Sequence, residues 1–295
     1  MNGIFEVGTN SLVQGSSSSP PAARTFLAFH HDAKLYKLET VVSAIRPFPA
    51  LEEANRLLFK QGTDEDFAVV TEKTIFHPQG GGQPSDEGSI TITGPPGSSG
   101  SSLFRVSAAR MDVVHDGQVL HFGRFEDGGA PSFRVGDAVE QAIDVEKRLL
   151  YSRLHTAGHV LGSAVRSLLE SEIPGFDELK ASHFPDSASC EFKGSIEGKW
   201  KEPIQKRLDE YIARAMPVEI DFWDEEEFRA NGLERLIPDR SLAPPGGKFR
   251  VVKIVGAEAY PCGGTHVDTT DLCGDTKVKK ISRAKGTSRV SYTVA

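Results

Sequence analysis

Arg153-Leu154-His155-Thr156-Ala157-Gly158-His159-Val160-Leu161-Gly162 carries two histidines four positions apart, and the fold is read outward from this stretch. Leu149, Leu150, Leu154, Leu161, Val165, Leu168 and Leu169 around it recur at roughly helical spacing. The pattern predicts a helix from Val145 to about Ser171, with Asp144 as N-cap and Pro174-Gly175 as the stop. Residues i and i+4 share one helix face, so His155 and His159 can reach one ion together. Gly158 and Gly162 each cost such a helix about 1 kcal/mol relative to Ala. Close approach of another backbone, or of a substrate, would account for both.

A second pair follows 103 positions after His159, in Cys262-Gly263-Gly264-Thr265-His266. Pro261 and the two glycines rule out a helix interior, so this segment reads as a turn that aims Cys262 and His266 at one centre. A single His pair on an amphipathic helix is more often structural than metal-binding, and a lone Cys-x-x-x-His is equally weak. Jointly, three imidazoles and one thiolate fill the tetrahedral shell that zinc prefers. A third segment runs from Thr74 to Asp86 and contains Gly80-Gly81-Gly82-Gln83. Its glycines permit positive φ and expose N–H groups to a ligand, and Gln83 offers both a donor and an acceptor. The competing reading is a tight turn between two strands.

Together, FHPQGGGQPSD (76–86), RLHTAGHVLG (153–162) and YPCGGTHV (260–267) resemble the editing modules of alanyl-tRNA synthetases and of their free-standing AlaX relatives. The resemblance covers residues 34 to 295. The His and Cys motifs are shared with the threonyl-tRNA synthetase editing domain, and the Gly-rich loop with Gln83 favours the alanine branch. The resemblance implies one zinc at His155, His159, Cys262 and His266, with Gln83 as the catalytic residue. Thr74, Gly81, Gly82 and Asp86 would contact the substrate, with Thr74 facing a serine hydroxyl. The implied reaction is deacylation of mischarged Ser-tRNA(Ala), or of Gly-tRNA(Ala). Such an activity is useful because an alanine pocket cannot strongly reject a near-isostere by binding alone. Zinc would activate water or only shape the pocket; both versions stand. A non-catalytic zinc-containing tRNA-binding module is the alternative. A metallopeptidase is disfavoured, because Thr156 stands where that helix motif needs a general-base Glu. The chain departs from the family pattern at His77, where relatives often show Tyr, and at Gly158, which is smaller than its usual counterpart.

Composition sets the frame. The chain has 295 residues and a net charge of −7. It has no run of 18 apolar residues to cross a membrane, and no Gly-Lys-Ser/Thr loop for ATP. Three cysteines fit a reducing, cytoplasmic compartment and not a disulfide scaffold. Lys279, Lys280 and Arg283 lie in a C-terminal stretch without acids, predicted as two strands around Lys285-Gly286-Thr287. They suit tRNA phosphate contact, or they protect a strand edge. The expected organisation is α+β. It comprises a flexible segment over 1–33 with a Ser/Pro-rich linker at Gly15–Pro21, a small β-barrel over 34–144, and an α/β-mixed zinc-containing editing domain over 145–295. Gly94–Ser102 reads as an exposed loop.

Overall fold

The computed structural model describes residues 23–93, 103–126, 130–240 and 246–295. The expected linker at Gly15–Pro21 and the loop at Gly94–Ser102 lie outside them. Residues 23–33 correct the expectation of a flexible segment. Strand β1 (Phe26–Leu27) pairs in parallel with β4 (Lys73–Thr74), and Phe29 is 1% exposed.

Short runs rich in Val, Phe and Ile build the barrel. Its strands are β2 (Lys37–Pro47), β3 (Phe67–Thr71), β5 (Gly88–Ile92), β6 (Leu103–Met111), β7 (Val119–Phe125) and β8 (Ala138–Ile143). They close in the order β2-β3-β7-β6-β5-β8. Irregular register between Val42 and Ala44 and between Val106 and Ala108 adds the local bend that closure requires. Every residue of β3 is buried. Val69 belongs to the cluster with Phe76, Ile90 and Phe104, while Ala68 and Val70 pack with Phe48, Leu51, Phe59 and Phe122.

After the short helix α1 (Glu53–Arg56), between β2 and β3, the next helix is α2 (Val145–Leu169), which follows the barrel and whose N-cap Asp144 accepts the Lys147 amide. β9 (Asp177–Ser182) and β10 (Ser189–Lys193) follow, then α3 (Lys201–Ala213) and β11 (Val218–Trp223). The short helix Glu225–Ala230 carries a capping box between Asp224 and Glu227. β12 (Phe249–Ile254), β13 (Glu258–Pro261), β14 (Thr276–Ala284) and β15 (Thr287–Val294) complete the chain. A four-stranded sheet, β14-β15-β10-β9, packs against α2 through Leu161, Val165, Phe192, Val278 and Val290. A smaller sheet, β11-β12-β13, ends at the Cys262 turn.

The helix glycines have a different cause from the one expected. A Cβ on Gly158 would lie 2.4 Å from His183 Cε1 and 2.7 Å from the Tyr292 hydroxyl. One on Gly162 would lie 2.6 Å from Glu178 Oε2 and 3.2 Å from the Tyr260 hydroxyl. The side chains of His183, Tyr292, Glu178 and Tyr260 fill the space.

Candidate metal centre and cleft

α2 presents His155 and His159 on one face, and the turn after β13 presents Cys262 and His266 opposite them. One ligand atom from each of the four lies within 4.8 Å of the others. Cys262 Sγ is 3.3 Å from His155 Nε2 and 3.4 Å from His266 Nε2. Bonds of about 2.0–2.3 Å to a common tetrahedral centre give ligand edges of roughly 3.3–3.8 Å. Among the described residues His159 Nε2 is buried without a hydrogen-bond partner, a costly state that a metal ion would relieve.

Hydrogen bonding fixes which nitrogen faces the centre. The Thr265 amide can only donate, so the Gln83 atom it meets at 3.0 Å is Oε1. His155 Nδ1 must then donate to that same oxygen at 2.7 Å, leaving Nε2 as the lone-pair nitrogen. Thr156 spends its one hydroxyl proton on the Ser152 carbonyl, 2.9 Å away. His266 Nδ1 therefore donates to Thr156 Oγ1 at 3.2 Å, and its Nε2 also stays free. Outer hydrogen bonds of this kind set the tautomer and orientation of metal-ligating histidines. Burial depresses the pKa values of His155, His159 and His266, with His159 at about 3, so all three are neutral and ready to ligate. Burial pushes the Cys262 thiol up, against the Gly264 amide and the Arg250 guanidinium, which both favour thiolate.

The Gly-rich segment is the tight turn. Gly80 and Gln83 exchange both backbone hydrogen bonds, and Gly81 and Gly82 have φ of +55° and +80°. A Cβ on Gly82 would lie 2.4 Å from the Ala181 carbonyl oxygen. The Gly82 carbonyl accepts the His183 amide at 2.8 Å. The turn thus docks against the end of β9 and delivers Gln83 to the centre. Gln83 is fully buried, donates from Nε2 to Thr265 Oγ1 at 2.9 Å, and uses both Oε1 lone pairs on His155 and Thr265. These bonds join Gln83 to both segments of the His/Cys cluster.

Other expected substrate contacts are also spent internally. Thr74 is fully buried and donates to His121 Nε2 at 2.7 Å, because His121 Nδ1 already donates to the Val69 carbonyl. Asp86 accepts the His77 amide at 2.6 Å and pairs with Arg148, both side chains being 1% exposed. Gly81 is exposed and has nothing within 4 Å of its Cβ position. Lys279, Lys280 and Arg283 are exposed on β14, an edge strand of the four-stranded sheet, apart from the cluster. His77 packs edge-on against Phe29 and meets the Pro84 carbonyl at 3.2 Å; burial holds its pKa at about 3.

Sequence reasoning missed His183, Tyr260 and Arg250. His183 stacks on His155 with ring centroids 4.1 Å apart, and Tyr260 stacks on His159 at 4.4 Å. Arg250 donates to the carbonyls of His30 and Cys262 at 2.9 and 2.5 Å, tying the N-terminal segment to the ligand turn. Tyr260 had a signal in its place two residues before Cys262. His183 sits in no motif.

Residues 249–291 match the family described as the threonyl and alanyl tRNA synthetase second additional domain, a span that holds the Cys262–His266 turn. The alanyl-tRNA editing protein AlaX-L of Pyrococcus horikoshii is 28% identical over 83% of this chain and 56% of its own length. Alanine–tRNA ligases of Methanothrix thermoacetophila and Caldivirga maquilingensis are 28% and 30% identical over 83% and 76% of this chain. The chain spans only 26% and 24% of those two ligases. By motif and by sequence, the chain is a relative of the AlaX alanyl-tRNA editing proteins and of the corresponding region of the alanine–tRNA ligases.

Proposed function

We propose that this chain hydrolyses the ester of mischarged aminoacyl-tRNA, with Ser-tRNA(Ala) as the main substrate and Gly-tRNA(Ala) as the second. One observation carries the reading. Gln83, delivered by the Gly-rich turn of the barrel, hydrogen-bonds both metal-ligand segments at once, through His155 Nδ1 and the Thr265 amide. The three motifs shared in kind with editing modules therefore form one unit.

The donor set suits zinc, held by His155, His159, Cys262 and His266. Those four residues would hold the ion, and a bound zinc would supply Lewis acidity or only shape the pocket. The protein's part is orientation. Gln83 and Thr156 hold His155 and His266, and Tyr260 backs His159. Arg250 fixes the Cys262 carbonyl beside the cleft. Free Cys190, Cys262 and Cys273 support a reducing compartment, and we place the activity in the cytoplasm.

The test is single-turnover deacylation of Ser-tRNA, Gly-tRNA and Ala-tRNA, all charged on the alanine tRNA, with zinc measured in the same preparations. Rapid loss of serine with Ala-tRNA spared supports the reading. Binding without hydrolysis of any of the three leaves a tRNA-binding module in its place.

A further inference from the structure

His183 sits in a seat made by two glycines of different elements. On one side is Gly158 of α2, where a Cβ would lie 2.4 Å from His183 Cε1 and 2.6 Å from its Nδ1. On the other is Gly82 of the Gly-rich turn, where a Cβ would lie 3.3 Å from His183 Cδ2. The Gly82 carbonyl also accepts the His183 amide at 2.8 Å. His183 is 2% exposed, so the helix gives up propensity at Gly158 to bury a polar ring.

Hydrogen bonding holds that ring in one state. Tyr292, on β15 and equally buried, donates its single hydroxyl proton to the Leu154 carbonyl at 2.9 Å. His183 Nδ1 is 2.8 Å from the same hydroxyl oxygen and must therefore carry the proton between them. Its ring lies on the face of His155, with centroids 4.1 Å apart and planes 22° apart. Leu154 directly precedes His155, so the contacts close a circuit: Leu154 carbonyl, Tyr292 hydroxyl, His183 ring, His155 ring. Gln83 holds His155 by a bond to Nδ1 in the plane of its ring. An in-plane bond leaves an imidazole free to tilt, and a second ring against its face does not.

We propose that His183 is a positioning residue of the metal centre. Seated on Gly158 and locked by Tyr292, it holds the plane of His155 so that Nε2 stays turned toward Cys262 and the rest of the cluster. The proposal rests on the zinc-binding part of the functional reading and not on the choice of substrate. It brings Gly158, His183 and Tyr292 into the service of a site whose ligands lie elsewhere.

The test separates positioning from packing in the full chain. Tyr292→Phe removes both hydrogen bonds and keeps the bulk. His183→Asn keeps an N–H donor and removes the ring. Gly158→Ala crowds the seat. Phe192→Leu is the control, in the same core but stacked on Phe176 and not on the cluster. Each is measured for urea stability without metal, zinc affinity by chelator competition, and the visible bands of the cobalt-loaded protein, which follow ligand geometry. Positioning predicts zinc affinity lower by roughly 10-fold in the first three, the lower end of what outer partners of ligating histidines contribute, with altered cobalt bands. Gly158→Ala is the sharpest case, because alanine favours helix over glycine and so does not weaken the centre through propensity. Phe192→Leu should lose metal-free stability and keep wild-type affinity and bands. Unchanged affinity and bands in Tyr292→Phe and Gly158→Ala overturn the proposal and leave His183 as core filling. Should the variants fail to fold, imidazole nitrogen NMR of metal-free wild type decides: a proton on His183 Nδ1 supports the locked ring, and one on Nε2 overturns it. Wild type that binds zinc but deacylates no aminoacyl-tRNA refutes the hydrolase reading and leaves this role standing. Wild type that takes up neither ion overturns the centre and this role with it.

Discussion

The carbonyl oxygen of Gln83 already accepts two hydrogen bonds, from His155 and from Thr265, so its removal acts first on the metal ligands. Gln83→Ala should lower zinc affinity about 10- to 100-fold, the usual cost of losing an outer partner of a ligating histidine, with deacylation falling in step. Chelator competition measures the first and single-turnover assays the second. Unchanged affinity with collapsed turnover would return Gln83 to a direct role with water. Asp86 bears on the fold through its buried pair with Arg148. Asp86→Ala strands Arg148, 1% exposed, without its counter-ion. Breaking a buried pair in this way costs about 3–5 kcal/mol, which urea unfolding will register.

Among the elements, β14 presents expected nucleic-acid contacts that stay exposed. Lys279, Lys280 and Arg283 are exposed, and Lys279 borders a hollow of about 400 Å³ that also contains Arg289. Replacing the three with Ala should weaken tRNA binding and flatten its salt dependence by up to about three counterions. An equal slope in wild type and variant, from titrations at several salt concentrations, would make them edge protection only. Legibility differed between elements for physical reasons. α2 was readable because its apolar spacing, Asp144 cap and Pro174-Gly175 stop agree. The Thr276–Val294 hairpin was readable because Lys285-Gly286 supplies positive φ between two apolar-alternating runs. β9 was not, because Asp177–Ser182 alternates poorly and is mostly exposed. Missing β9 meant missing His183, which follows it directly, and so the reason for Gly158. The cluster of His155, His159, Cys262 and His266 was legible because its side-chain chemistry is rare. The internal bonds of Thr74 and Asp86 were not legible, because a motif shows a polar residue's place and not its partners.

At the scale of the molecule, buried neutral histidines tie stability to pH. His121 is fully buried in the barrel, and burial lowers its pKa to about 4. Below pH 6.5 the unfolded chain binds a proton there that the folded chain refuses until about pH 4. The stabilisation is therefore complete above pH 6.5 and is lost as pH falls toward 4. His77, at about 3, adds in the same direction. Each site contributes on the order of 3–5 kcal/mol over its whole range, of which only the part above pH 5 falls within reach of the measurement. Urea unfolding of zinc-free protein between pH 7.5 and 5 should show falling stability, with a slope shallower by about one proton in His121→Gln. The division of the metal ligands between α2 and the turn after β13 has a consequence in time. Translation at about 5–20 residues per second puts roughly 5–20 s between the appearance of His159 and that of Cys262. During that interval the helix carries half a site, able to hold a metal loosely and to exchange it. The thiolate and the third imidazole arrive last. An ion held by all four residues could be fixed only after Cys262 and His266 have been added, well after the barrel loop that clamps His155.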